Sequence, residues 1–215
     1  MQAALPLNEQ LAAQTKLALR RLASAVAVVT CRDGETRHAM TATAVNAMSM
    51  QPPSMIVCVN RASAFHAALS RAGGFAINIL HRGQAQISQG CGGTVRGEDR
   101  FGLGGWSEDH GVPVLPDAQA CIVCVREGRF DYGSHTIFLG RVTSVDIHGA
   151  VDPLIYVDGH YTGLPSRTPA AGADRHAVRR LRPISGVIAA PARTTHAAKT
   201  SEETHDLRLE RGRRQ

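Results

Sequence analysis

The run from Ser54 to Gly73, SMIVCVNRASAFHAALSRAG, constrains this chain more than any other stretch, because a buried strand must hand over directly to a helix. Met55 to Val59 is an unbroken apolar run of strand length. Ser63 then stands at the N-cap position, ahead of Phe65, Ala68 and Leu69 at helical spacing. Such a junction gathers unpaired backbone N–H groups, the positive end of a helix dipole and a hydroxyl at one point, with Arg61 beside them. Asn60, Arg61, Ala62 and Ser63 are therefore candidates for holding a phosphate. The ordinary alternative is a serine that does no more than cap its helix.

Upstream, Ala25 to Cys31 (AVAVVTC) predicts a β-branched strand, and Asp33-Gly34 predicts a turn within Arg32 to Glu35. His38 to Met50 (HAMTATAVNAMSM) reads as a further strand that stops before Pro52-Pro53. Its side chains are nearly all small: Thr41, Ala42, Thr43, Ala44, Asn46, Ala47 and Ser49. A flat ligand can lie close against such a backbone and exchange hydrogen bonds with main-chain N–H and C=O groups. An ordinary strand packed under a helix would share the pattern.

Downstream, Gly74 to Leu80 predicts a buried strand and Gln84 to Gly90 a short helix. Gly92 to Gly105 is a long polar loop, a kind of segment that in a compact domain usually carries function or moves. Within it, Arg100 offers a cation to a phosphate, or else pairs at the surface with Glu98 or Asp99. Gln119 to Phe130 and His135 to Ile147 are long strands joined by Asp131-Tyr132-Gly133-Ser134. With Pro153 to Val157 they make an antiparallel series with short connections, which suits a closed or nearly closed barrel. Parallel βαβ alternation is missing and no G-x-G-x-x-G opens a helix, so a Rossmann domain is not expected.

The ordered set VAVVTCRDG, MTATAVNAMS with PP, IVCVNRASAFHAAL, GFAINIL, EDRF, GSHTIFLGRV and PLIYVDGHY resembles the short-chain flavin reductases that supply reduced flavin to two-component monooxygenases. The resemblance spans about residues 15 to 163. It implies a mainly β FMN-binding split β-barrel, antiparallel and Greek-key-like, with short helices. It also implies that Met40 to Ser49 lies along the isoalloxazine ring and that Asn60 to Ser63 meets the ribityl chain and phosphate. Asp99-Arg100-Phe101 and Gly133-Ser134-His135 would line the flavin and nicotinamide site. This chain departs from the pattern twice. Ser134 stands where the family usually has Asp, which removes a carboxylate from that turn. Asn46-Ala47 replaces a Ser-Ser or similar pair, which changes side-chain hydrogen bonds near the ring and leaves backbone contacts in place.

At 215 residues, the chain accommodates one domain over 1–165 and an appendage over 166–215. The first part holds 13 Lys/Arg against 13 Asp/Glu and the second 11 against 5, so the net charge of +6 belongs to the tail. A neutral barrel argues against nucleic acid as its substrate. The tail, rich in Ala, Thr, Arg and Pro, reads as disordered or weakly docked. No stretch approaches the ~20 apolar residues of a membrane span, and the N-terminus lacks a secretion-signal pattern; Leu7, Leu11, Leu17 and Leu22 suggest an amphipathic helix instead. A cytoplasmic location with five reduced cysteines is expected. Cys121 and Cys124 form a C-x-x-C on a strand, where residues three apart face opposite ways, so neither a metal site nor a disulfide is expected there. His38 and His66 flank the flavin segments, with surface or helix-packing roles as the ordinary reading. No His pair has metal-ligand spacing.

The resemblance implies an NAD(P)H-dependent reductase acting on FMN or FAD, with NADH or NADPH as co-substrate, a homodimer, and a flavin-dependent oxygenase as partner. Hydride transfer between the two rings needs no protein nucleophile or general base; the protein must stack the rings and stabilise the charge that develops on the flavin. His135 then suits nicotinamide contact. Two alternatives stay open: a flavin-binding module with little turnover, and a flavin oxidase of the same fold acting on a small organic substrate.

Overall fold

The computed structural model describes residues 7–165; the tail over 166–215 lies outside the described residues. Helix α1 (Leu7–Leu19) leads into short strand β1 (Ser24–Ala25) and long strand β2 (Ala27–Asp33). Gly34, at φ +59°, turns the chain back into β3 (Thr36–Ala42), a left-handed conformation that costs glycine little. β4 (Val45–Met50), β5 (Pro53–Asn60), α2 (Ala64–Arg71) and β6 (Gly74–Ile79) follow. A 3-10 turn (Arg82–Gln84), α3 (Ala85–Gln89), a π turn (Gly90–Thr94) and a 3-10 turn (Gly97–Gly102) then run over one side of the sheet. The small hairpin of β7 (Ser107–Asp109) and β8 (Val112–Val114) precedes the long pair β9 (Ala120–Tyr132) and β10 (His135–Ile147), and β11 (Ile155–Val157) and β12 (His160–Thr162) are the last strands among the described residues.

Seven strands form one antiparallel sheet in the order β3-β2-β6-β9-β10-β5-β4. Its two edge strands, β3 and β4, are neighbours in sequence, joined by Thr43 and Ala44 alone. A link that short spans at most about 11 Å, so the sheet must curl until its edges nearly meet. They carry no ladder to each other, and the barrel is split at this seam. The continuous strand expected over His38 to Met50 is thus two strands, broken where the chain crosses from one edge to the other. Small side chains at Thr43 and Ala44 give no local sign of that crossing.

The curled sheet encloses a core of Ala27, Val29 and Cys31 from β2, Val57 and Val59 from β5, Phe75 and Ile77 from β6, Cys124 from β9 and Phe138 from β10. α2 closes it with Phe65, Ala68 and Leu69. Gly140 makes room for the Phe75 ring: a Cβ there would lie 2.5 Å from it. A second core forms on the other face of β2, β6 and β9, where Val28, Ala76, Cys121 and Val123 pack under Ile87, Phe101, Val114 and Leu115. β2 is buried on both faces, which explains its nearly unbroken apolar run.

Buried Asn78 ties the second core together. Its amide N donates to the Val28 carbonyl at 3.0 Å, and its Oδ1 accepts the Leu115 N–H at 2.8 Å. Among the described residues, α1 has no fully buried member, and Leu7, Leu11, Leu17 and Leu19 are exposed. Among the described residues no helix is long and apolar enough to cross a membrane.

Candidate functional site

Strand register brings the separate candidates onto one surface. Asn46 pairs with Ile56 across β4 and β5, and Asn60 pairs with His135 across β5 and β10. Ile56 and Asn60 are an even number of residues apart, so Asn46, Ile56, Cys58, Asn60 and His135 share one face, opposite the buried Val57 and Val59. The seam residue Ala44 joins this face directly, its carbonyl accepting the Cys58 N–H at 3.0 Å. Thr43, Ala44, Asn46 and Ala47 are exposed, as a ring lying along them would require.

The start of α2 lies at the end of this face. Ser63 caps the helix with extended backbone; its Oγ accepts the His66 N–H at 3.1 Å and donates to the Asn60 carbonyl at 2.8 Å. Asn60 Oδ1 takes the Ala62 N–H at 2.9 Å, and the Arg61 N–H reaches the Ser134 carbonyl at 2.9 Å. The N–H groups of Ala64 and Phe65 find no carbonyl or side-chain partner among the described residues. They are the donors left for an anion, with the helix dipole behind them. The exposed Arg61 side chain has one long contact, 3.5 Å to the Gly133 carbonyl.

Gly133, at φ +55°, turns β9 into β10 beside Arg61. Ser134 Oγ lies 2.9 Å from Nδ1 of the exposed His135. The Ser134 hydroxyl thus contacts the imidazole within the turn.

Arg100 and Phe101 belong to the 3-10 turn Gly97–Gly102, which packs on β3. Arg100 donates to the Val95 carbonyl at 2.8 Å and the Ala39 carbonyl at 2.7 Å, so its donors fasten the polar loop to β3. The surface pairing with Glu98 or Asp99 is not formed; Glu98 binds Arg37 at 2.7 Å, which holds its carboxyl below the ordinary range. Phe101 is buried in the second core, edge-on to Trp106 at 5.2 Å, with the Arg37 guanidinium 4.3 Å above its ring. Thr41 uses its hydroxyl on the Ser88 carbonyl at 2.6 Å, Ala42 is buried, and Ser49 accepts the Gln51 N–H at 2.9 Å.

The C-x-x-C cysteines do lie on opposite faces, Cys121 in the second core and Cys124 in the barrel interior. Burial pushes the thiols of Cys31 and Cys124 up to about 12 and those of Cys91 and Cys121 to about 11. Such thiols are poor nucleophiles and metal ligands. All five cysteines are free, and among the described residues no group of three His, Cys, Asp or Glu side chains is placed to hold a metal ion.

One feature of the site escaped sequence reasoning altogether. His66 Nε2 lies 2.8 Å from Thr136 Oγ1, which donates to Asp131 Oδ1 at 2.6 Å. The three residues come from α2, β10 and β9, and only the β9–β10 register, which pairs Thr136 with Asp131, brings them together.

Comparison with known proteins agrees with this geometry. The family described as flavin reductase like domain matches residues 19–165. The reductase component of the FADH(2)-dependent resorcinol hydroxylase of Rhizobium sp. (strain MTP-10005) is 40% identical over 146 residues, covering 66% of this chain and 82% of that protein. The FMN reductase (NADH) RutF 1 of Methylorubrum extorquens (strain PA1) is 37% identical over 163 residues, 75% of this chain and 80% of its own. Among solved structures, BorF, the flavin reductase component of a bacterial two-component tryptophan halogenase, superposes with a TM-score of 0.67 at 31% identity, over 73% of this chain and 99% of that one. The split barrel with its exposed small-residue seam is therefore that of a flavin-handling oxidoreductase, and the chain belongs to the flavin reductase-like family.

Proposed function

We propose that this protein transfers hydride from NADH or NADPH to FMN or FAD and releases reduced flavin to a separate oxygenase. The observation that carries the reading is the shared face: Asn46, Asn60 and His135 lie on one side of β4, β5 and β10, with the seam at Thr43-Ala44 and the start of α2 at its margins. A phosphate suits the donors at the helix end, the Ala64 and Phe65 N–H groups, with Arg61 three residues ahead of Ala64 in the chain. Thr43 to Ala47 would carry the ring, and exposed His135 would meet the nicotinamide. Bound flavin supplies the hydride acceptor; the chain's own residues orient it and offer N–H groups to the charge that develops.

Arg100, with Nε and Nη1 each on a backbone carbonyl, acts in this reading by fixing the polar loop, and Phe101 acts by anchoring it in the core. A homodimer is part of the proposal. Phe130 and Tyr132 pair with Ile137 and His135 on the site's own face and are 63% and 79% exposed, and a second copy would cover them and wall the site. A cytoplasmic location suits the five free thiols.

Oxidation of NADH and NADPH by the purified protein, with FMN and FAD added in turn, tests the activity. Turnover that rises with free flavin is expected. Flavin binding without turnover would leave a binding module, and reduction of an organic substrate by flavin that never exchanges would indicate an oxidase. Light scattering with and without flavin tests the dimer.

A further inference from the structure

We propose that His66 and Thr136 are positioning residues that hold the start of α2 and the Gly133–His135 turn at one fixed spacing, and so align the phosphate end of the site with its nicotinamide end. The proposal rests on the flavin reductase reading of the site.

The two ends belong to different elements; backbone already joins them through the Asn60–His135 pair and the Arg61 N–H on the Ser134 carbonyl, and a side-chain network adds a second link. Ser63 and the free N–H groups of Ala64 and Phe65 belong to α2, whereas His135 opens β10. His66 connects both. Its backbone N–H is the group that Ser63 caps, at 3.1 Å, and its ring reaches across to Thr136, the residue next to His135, at 2.8 Å. Thr136 passes the connection to Asp131 at 2.6 Å, on the far side of the same turn. The chain Ser63, His66, Thr136, Asp131 therefore runs behind the site face, on the Val59 side of the sheet, from the start of α2 to the β9–β10 turn.

Donor counting fixes the direction of every bond in it. An ionised Asp131 only accepts, and the Thr136 hydroxyl has one hydrogen, which it gives to Asp131. Thr136 must then accept from His66, so His66 carries its proton on Nε2. The Thr136 hydroxyl in turn holds the Asp131 carboxyl below its ordinary range, helped by Arg61, Arg129 and His66. Thr136 is fully buried, so its hydroxyl has no water to turn to if a partner is lost. The His66 ring also packs edge-on against the buried Phe138 ring at 5.4 Å.

A core-packing role and a positioning role differ in what an isosteric change does. Thr136→Val keeps the volume and removes the bond; Thr136→Ser keeps the bond. We expect Thr136→Val to lower kcat for NADH oxidation with FMN about tenfold and to raise the KM for NADH, while Thr136→Ser stays within about twofold of the parent. Nitrogen-15 correlation spectra of the His66 ring should show the Nε2–H tautomer in the parent and in Thr136→Ser, and a tautomer mixture in Thr136→Val. Equal losses in the Val and Ser variants, or a Thr136→Val protein with parental kinetics, would overturn the proposal. If Thr136→Val does not fold, His66→Gln, whose amide can donate from the Nε2 position, and His66→Phe give the same comparison: near-parental turnover for Gln and about a tenfold loss for Phe, with equal losses overturning the idea. Absence of NADH oxidation in the parent itself would instead remove the flavin reductase reading, and the tautomer spectra would still report whether the network forms.

Discussion

Ser134 Oγ stands 2.9 Å from His135 Nδ1 in the turn that also receives the Arg61 N–H, so a hydroxyl here steers the imidazole proposed to meet the nicotinamide. A neutral partner orients the ring without adding charge beside it. Ser134→Ala should raise the KM for NADH about fivefold, the equivalent of one ordinary hydrogen bond of about 1 kcal/mol, and leave flavin affinity unchanged. His135→Ala should cost more in the rate of flavin reduction, again at constant flavin affinity. Stopped-flow reduction that is unchanged in both variants would show the pair to be structural.

Ser63 has two duties that substitution can separate. Ser63→Ala removes the cap on the His66 N–H, so the protein should lose about 1 kcal/mol of stability to urea. Ser63→Asp keeps a capping oxygen and suits the helix dipole, so stability should hold, yet its charge would repel a phosphate. Titration with FMN and with riboflavin distinguishes the effects: the Asp variant should lose FMN at least tenfold and riboflavin hardly at all. Equal losses for the two ligands would place the phosphate elsewhere.

Asn78 is buried between the barrel and the segment that covers it, bonded to Val28, Leu115 and Cys121. Asn78→Ala leaves the Leu115 N–H without its acceptor and opens a void. Unfolding in urea should show a loss of about 3 kcal/mol. A loss below about 1 kcal/mol would mean that the covering segment is held mainly by its apolar contacts.

Cys31, Cys91, Cys121 and Cys124 are buried, whereas Cys58 is half-buried on the face that includes Asn60. A thiol reagent should therefore modify Cys58 alone in the native protein and all five after unfolding, and FMN should slow the native reaction. The raised thiol pKa values also predict a loss of stability at alkaline pH. The four buried groups contribute stability that is fully present below the ordinary thiol value of about 8.5 and is lost as pH rises toward about 11 and 12. Thermal melts should decline across that window, and replacing Cys124 with Ala or Ser should flatten the decline in proportion to its share.

The family match ends at residue 165, where the charge-balanced part of the sequence also ends. A protein ending at Pro165 should fold, bind flavin and oxidise NADH as well as the full chain. Insolubility or loss of flavin binding would show that residues 166–215 complete the domain. Loss of electron delivery to an oxygenase alone would give them a docking role.

The sequence by itself determined the local elements, because their causes are local. Ser63 ahead of an apolar helical pattern placed α2, Asp33-Gly34 placed the β2–β3 turn, and the β-branched run Ala25 to Cys31 placed β2. The opposed facing of Cys121 and Cys124 followed from the two-residue period of a strand. Tertiary structure alone decided how these elements meet. The break at Thr43-Ala44 exists because the curled sheet brings its two edges together there, a demand set by strands far away in sequence. Arg100 bonds the Ala39 carbonyl and not a neighbouring acid because the polar loop folds back on β3. His66, Thr136 and Asp131 become one network only through the register of β9 on β10 and the packing of α2 above them, and register is a sum over many pairings that no short motif encodes.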